Sequence, residues 1–392
     1  MGAEQSTYDG PPEILEARDI SSVAKYMKSG QCKNIVVMLG AGVSTSAGIP
    51  DFRSPDTGLY ANLARLNLPY PEAVFEINFF RENPRPFYQL AHELMPGRFR
   101  PTPTHSFVRL LANHEQLYVC FTQNIDTLER RAGVPGELIV EAHGSFASQR
   151  CVECKTPFDG EKMEQHIREK KIPVCESCHG LVKPDIVFFG ESLPPLFHQS
   201  IPKLRNADLL FVIGTSLTVQ PFASLARMVP ENCPRVLINL DHVGDFGSRP
   251  DDVVLLGKCD EVIRDLCREL GWQDELDKTW KETEDSVVEF QEVKEPEEVS
   301  QARHEKARAE LAAVAQGQPI DPEKLRLKEE VDELTDQVAR SLDISGLAQE
   351  AQNDGAMEAA TGEELPLMGD QQDVPDKSDG DSERADIAKK LL

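Results

Sequence analysis

The chain has 392 residues and a formal net charge of −25, from 67 acidic and 42 basic side chains, which argues against direct nucleic-acid binding because phosphate contacts need a basic surface. The charge is uneven: residues 273–392 hold 33 Asp or Glu and 14 Lys or Arg, with Trp280 and Phe290 as their only aromatics. So little apolar mass cannot offset chain entropy, so the expected organisation is a folded part followed by a mostly disordered acidic tail from residue 273.

The N-terminus carries Glu4, Asp9, Glu13 and Glu16 and lacks the apolar core of a signal peptide and the basic character of a transit peptide. No apolar run approaches the ~18 residues of a membrane span. Nine cysteines, several alone in apolar runs, fit a reduced intracellular compartment better than a disulfide framework. Met1-Gly2-Ala3-Glu4-Gln5-Ser6 fits a myristoylation pattern, which would give at most weak membrane contact.

In chain order, a helix is expected around Ala17–Lys28, then a buried strand at Ile35–Leu39. Similar runs recur at Leu117–Thr122, Leu138–Glu141, Leu209–Ile213, Val236–Leu240 and Val253–Leu256. They are continuous rather than alternating, as in a parallel sheet covered on both faces. With helix-like stretches between them, the pattern predicts an α/β Rossmann-like doubly wound parallel sheet. Residues 53–100 and 144–185 do not fit that sheet and read as two insertions, one helical and one a zinc-ribbon module. The expected domains are an N-terminal extension over 1–19, a catalytic domain over 20–272 whose last helix covers about 260–270, and the tail over 273–392. Within the tail, Asp321-Pro322 and the apolar stripe Leu327, Val331, Leu334, Val338, Leu342 predict an amphipathic helix over 321–343.

The first strand runs into Gly40-Ala41-Gly42-Val43-Ser44-Thr45-Ser46-Ala47-Gly48-Ile49-Pro50-Asp51-Phe52-Arg53. Gly40 and Gly42 would let backbone approach a pyrophosphate, Ser44 and Thr45 would add donors, and a following helix would supply free N–H groups. The spacing departs from G-x-G-x-x-G, and the lysine of a P-loop is missing. Ligands bind beyond the carboxyl ends of parallel strands. There the sequence places Gln123, Asn124, Ile125 and Asp126, then His143, then Gly214, Thr215 and Ser216, then Asn239, Leu240 and Asp241. Cys151-x2-Cys154 and Cys175-x2-Cys178, with 20 residues between the pairs, supply four thiolates for one Zn²⁺. Four cysteines fill the coordination sphere, so that metal would be structural. Cys32, Cys120, Cys233, Cys259 and Cys267 read as small core residues. The apolar stretch Lys183–Glu191 could pair with a peptide by strand addition.

The motifs G-A-G-x-S-x-x-A-G-I-P-D-F-R, T-Q-N-I-D, H-G, the two cysteine pairs, K-P-D-I-V-F-F-G-E, G-T-S-L and I-N-L-D stand in one order over residues 20–272. In this the chain resembles the sirtuins, NAD-dependent protein-lysine deacylases, and within them the fungal members of the cytoplasmic and nuclear class I branch. The resemblance implies that NAD contacts Gly40, Ala41, Gly42, Ser44, Thr45, Gln123, Gly214, Thr215, Ser216, Asn239, Leu240, Asp241 and Cys259. It implies a nicotinamide pocket of Asp51, Phe52, Asn124, Ile125 and Asp126 with Arg53 nearby, and a mobile loop over 54–75. Val187, Phe188, Gly190 and Glu191 would line the acyl-lysine cleft. Catalysis would rest on His143 as general base, with Asn124 and Asp126. The implied products are free lysine, nicotinamide and O-acetyl-ADP-ribose. The implied partners are acetylated proteins such as histone tails, with an oligomer open, in cytoplasm and nucleus. Protein ADP-ribosyl transfer and a non-enzymatic NAD-sensing scaffold are the alternatives, and a hydride-transferring dehydrogenase is disfavoured by the loop spacing.

Overall fold

The computed structural model describes residues 8–51, 63, 66, 68–169 and 171–287. The 321–343 helix, Gly2, Phe52, Arg53 and most of the 54–75 loop lie outside the described residues.

Six strands form one parallel sheet: β1 (Ile35–Leu39), β2 (Leu117–Thr122), β3 (Ile139–Glu141), and, after the pair β4 (Gly144–Cys151) and β5 (Val182–Ile186), β6 (Leu209–Ile213), β7 (Arg235–Asn239) and β8 (Asp252–Leu256). Their spatial order is β3-β2-β1-β6-β7-β8, with β4 and β5 paired separately and antiparallel. Every strand of the large sheet pairs in parallel with its neighbours. The order reverses direction at β1, so the doubly wound topology leaves its crevice where β1, β2 and β6 end.

The continuous apolar runs are explained by two cores. Ile35, Val37 and Leu39 of β1 face the helices Ile20–Lys28, Pro103–Asn113 and Cys259–Leu270, while Val36 and Met38 face Phe197, Leu204, Phe222 and Leu225 on the other side. Side chains still alternate, but both faces are covered, so no polar residue is needed at every second position.

Three features add to the sequence reading. The two inserted segments pack on each other. Phe75, Phe80, Phe87 and Tyr88 share one apolar core with Met163, Ile167, Val182 and Phe188. Secondly, the fold does not stop at Trp272. A helix, Gln273–Lys281, follows; Leu276 is fully buried and Trp280 Nε1 donates to the Pro101 carbonyl at 2.9 Å. Arg100 lies over the Trp280 ring, 4.2 Å from its centroid. The charge count hid this helix because its few apolar residues all face inward. Thirdly, residues 8–19 are not a free extension. The Asp251 carboxylate accepts the N–H groups of Glu13, Ile14 and Leu15, and Leu15 is buried.

Candidate active site

The turn after β1 is not followed by a long helix. It makes two short 3₁₀ turns, Ala41–Val43 and Thr45–Ala47, and ends at Gly48 in the left-handed region. The glycines are needed first for packing against protein. A Cβ on Gly42 would sit 2.8 Å from Gly214 Cα, and one on Gly40 would sit 2.6 Å from Thr215 Cβ. The turn after β1 therefore nests against the turn after β6, and Gly42 N–H donates to the Gly214 carbonyl at 2.8 Å.

The turn after β2 meets the same place. Asn124 is buried, and its Nδ2 donates to the Gly40 carbonyl at 3.2 Å and to Ser44 Oγ at 3.3 Å. Ser44 Oγ donates to Asp126 Oδ2 at 2.7 Å, and Leu128 N–H donates to Asp126 Oδ1 at 2.9 Å. Gln123 Nε2 donates to Thr215 Oγ1 at 2.8 Å. Thr127, directly after Asp126, holds φ 66°, a costly conformation for a β-branched residue that tends to persist at functional sites. Ala41, Ser44, Ile49, Pro50, Asn124, Ile125 and Asp126 line one cleft, and Asp51 follows directly, half-buried.

His143 stands between β3 and β4. Its Nδ1 lies 3.1 Å from the Gln123 carbonyl. A carbonyl only accepts, so Nδ1 carries the proton and Nε2 keeps its lone pair. Burial lowers the His143 pKa below the ordinary value, and the bond to Gln123 opposes this more weakly. The imidazole is therefore neutral at pH 7 and able to accept a proton. Val187 N–H donates to the His143 carbonyl at 2.8 Å, which ties the Lys183–Glu191 stretch to the histidine. Gly144 makes that approach feasible: a Cβ there would sit 1.8 Å from the Asp185 carbonyl oxygen.

The Lys183–Glu191 stretch is partly occupied by its own chain. β5 pairs with β4, Phe189 N–H donates to the Phe75 carbonyl, and Ile77 N–H donates to the Phe189 carbonyl. Lys183 is buried and pairs with Glu191 at 3.0 Å, while Glu191 Oε2 accepts Phe188 N–H. Phe188 is buried, with its ring packed among Phe75, Phe80 and Phe87. Phe189, which the sequence reading passed over, carries the exposed ring, at 48%. Strand alternation around Val187 was the signal for this. Val187 is half-buried, and Gly190 is exposed with φ 91°.

Beyond β6 and β7, Thr215 is buried and Ser216 exposed, Asn239 Nδ2 donates to the Asp241 carbonyl, and Leu240 is 67% exposed. Cys259 is buried at the start of its helix. The next residue, Asp260, was missed by the sequence reading. Its carboxylate accepts Ser46 Oγ at 2.6 Å and both the N–H and the hydroxyl of Thr104, bracing the glycine turn.

The four cysteines Cys151, Cys154, Cys175 and Cys178 bring their Sγ atoms within 4.8 Å of one another. The Cys151–Cys178 and Cys154–Cys175 separations are 3.4 and 3.6 Å, far too long for disulfides. Tetrahedral Zn–S bonds of ~2.3 Å put sulfurs about 3.8 Å apart, so the donor set fits a structural zinc. His179 is not part of the cluster.

A doubly wound parallel sheet with a glycine turn, an amide and a carboxylate at its switch point and a proton-accepting histidine beside them defines a dinucleotide-dependent enzyme. Comparison with known sequences makes the class specific. The Sir2 family model matches residues 40–221. The NAD-dependent protein deacetylase hst2-1 of Emericella nidulans is 56% identical over 285 residues, which is 72% of this chain and 79% of that protein. The NAD-dependent protein deacetylase hst2 of Schizosaccharomyces pombe is 54% identical over 266 residues, 68% of this chain and 80% of that protein. NAD-dependent protein deacetylase sirtuin-2 of Danio rerio is 45% identical over 329 residues, 79% of this chain and 85% of that protein. The chain belongs to the Sir2 family, the sirtuins.

Proposed function

We propose a division of labour among these residues for NAD-dependent protein-lysine deacetylation, the reaction this chain catalyses. NAD supplies the electrophilic ribose carbon, which gains the acyl oxygen as nicotinamide leaves. Gly40, Ala41, Gly42, Ser44, Thr45, Gln123, Gly214, Thr215, Ser216, Asn239, Leu240, Asp241 and Cys259 bind the dinucleotide. Asp51, Phe52, Arg53, Asn124, Ile125 and Asp126 surround the nicotinamide end. Asn124 and Asp126 orient it and balance positive charge developing on the sugar. His143 Nε2 takes a proton from a ribose hydroxyl. Val187, Phe188, Gly190 and Glu191, with the exposed Phe189, receive the acetyl-lysine segment.

The observation that carries this reading is the double anchorage of His143. Its ring is fixed by the cofactor-side carbonyl of Gln123, and its backbone by Val187 of the substrate stretch. One residue thus holds both reactants' binding segments in register. Mass spectrometry of an acetylated peptide incubated with NAD tests it. Deacetylated peptide with O-acetyl-ADP-ribose is expected from the native chain, and neither from Asn124→Ala or Asp126→Asn. A peptide gaining ADP-ribose while keeping its acetyl group would replace deacetylation by ADP-ribosyl transfer.

The finer reading is that substrates are basic acetylated segments such as histone tails, drawn by the acidic chain beyond residue 287. The protein would act in cytoplasm and nucleus, and a Gly2 myristoyl group would add weak membrane contact. Salt dependence of KM for basic and acidic acetyl-peptides tests the first part. Intact-mass analysis of native protein tests the last.

A further inference from the structure

The stretch assigned above to the acetyl-lysine segment is folded around one ammonium group that the scheme does not use. Lys183 is the one buried lysine among the described residues. It lies in β5, and its Nζ donates to the Ile186 carbonyl at 2.5 Å and to the Pro184 carbonyl at 3.2 Å. Its third partner is Glu191 Oε2, at 3.0 Å. An ammonium has three N–H bonds, so residues 184–191 take all of its donors. The Phe188 ring covers a further side, its centroid 4.6 Å from Nζ. Glu191 closes the arrangement, because the oxygen that meets Lys183 also accepts Phe188 N–H at 3.0 Å.

Such a charge is costly to keep in a dry place, and an apolar side chain packed against Phe188 would avoid the cost. Burial lowers the Lys183 pKa, and the Glu191 carboxylate opposes this. The adjacent acid does not share in the arrangement: the Asp185 carboxylate is turned to Arg150 and the Ser148 hydroxyl. What the ion pair does that an apolar residue would not is join the first residue of the stretch to its last. Between those ends, Val187 N–H is bound to the His143 carbonyl, and Phe189 exchanges backbone bonds with Phe75 and Ile77. Gly190, at φ 91°, supplies the bend that brings Glu191 back over Lys183. The turn is therefore held from the histidine side, from the neighbouring segment and, through Lys183, from within.

We propose that Lys183 is a positioning residue for the deacetylation reaction: with Glu191 it clasps the 184–191 turn in the shape that receives the acetyl-lysine segment, and so it acts on the peptide rather than on NAD. The proposal rests on the assignment of Val187, Phe188, Gly190 and Glu191 to that segment. Without the ammonium, Glu191 keeps only its bond to Phe188 N–H, and the Pro184 and Ile186 carbonyls each lose a donor. The turn then samples other shapes, and peptide affinity falls by the fraction that remains competent.

The test is steady-state deacetylation by the full chain, with acetyl-peptide and NAD varied in turn, for Lys183→Met, Glu191→Gln and the double variant. Lys183→Met should raise KM for the peptide about tenfold or more while KM for NAD moves less than about twofold. Glu191→Gln alone should raise the peptide KM about threefold or more. Because the two residues act as one clasp, the double variant should lie within about twofold of Lys183→Met rather than at the product of the single effects. An unchanged peptide KM with only kcat lowered would make Lys183 merely structural, and multiplying effects would show that it acts apart from Glu191; either result overturns the proposal. Proton–nitrogen NMR of side-chain ammonium groups in the native chain needs no variant to fold. A slowly exchanging ammonium signal at neutral pH that shifts on adding peptide supports the clasp, and a missing signal or one indifferent to peptide refutes it. An acetyl-peptide with a photo-crosslinker beside the acetyl-lysine separates this proposal from the site reading. Crosslinks of the native chain outside residues 187–191 would overturn both, whereas crosslinks within them, with peptide KM unchanged in Lys183→Met, would overturn the proposal alone.

Discussion

Ser44→Ala isolates the hydroxyl that joins the turns after β1 and β2. Ser44 is 1% exposed; its Oγ donates to Asp126 at 2.7 Å and accepts from Asn124 at 3.3 Å. Alanine leaves each partner with one other bond, Asp126 with Leu128 N–H and Asn124 with the Gly40 carbonyl. The lost bond is charge-assisted and buried, worth about 1.5–3 kcal/mol. A change of about 1.4 kcal/mol is tenfold in rate, so kcat/KM for NAD should fall about 10- to 100-fold. If the same energy also stabilises the native state, the melting temperature should drop by about 2–4 °C per kcal/mol. Steady-state deacetylation at varied NAD, with circular-dichroism melts on the same samples, gives both numbers. A change in kcat/KM below about twofold in a folded variant would refute the claim that this hydroxyl organises the site.

Three further outcomes follow from other parts of the molecule. Metal analysis should find one zinc per chain, and complete chelation or Cys154→Ser should lower the melting temperature and abolish turnover; full activity without metal would show the cluster to be dispensable. A chain ending at Trp272 should be less stable than one ending at Val287, because burial of the Leu276 side chain alone is worth about 1.5–3 kcal/mol, and equal melting curves would contradict that. The acid limb of kcat/KM should have its midpoint below about 6.5, the ordinary histidine value, because burial lowers the His143 pKa. The same sign makes His143 contribute to loss of stability as pH falls through that range, since the unfolded chain takes the proton more readily. A midpoint at or above the ordinary value would mean that another group titrates.

The strands were legible because each is a short apolar run and the sheet is covered on both sides; Ile35, Val37 and Leu39 against one core and Val36 and Met38 against the other leave no polar position to confuse the pattern. The cysteine pairs were legible because their local spacing nearly dictates their geometry. What escaped depends on contacts between residues far apart in the chain. Asp260 braces Ser46 and Thr104 across the fold, and no local motif marks it. Glu129 reads as an ordinary exposed position in T-L-E-R-R, yet the chain's packing places it beside His105. Phe188 and Phe189 have the same composition, and only the backbone direction decides which ring is buried. The helix Gln273–Lys281 was hidden by its charge, since Leu276 and Trp280 among acidic neighbours carry little weight in a composition count.

Gln123 and Val187 hold His143 where, as proposed, it supplies the base for deacetylation. Single-turnover deacetylation by His143→Ala, run beside the native chain with matched melting curves and NAD binding, tests it most directly. The expected variant is folded, still binds NAD and forms no O-acetyl-ADP-ribose above background. Turnover comparable to the native chain would contradict it.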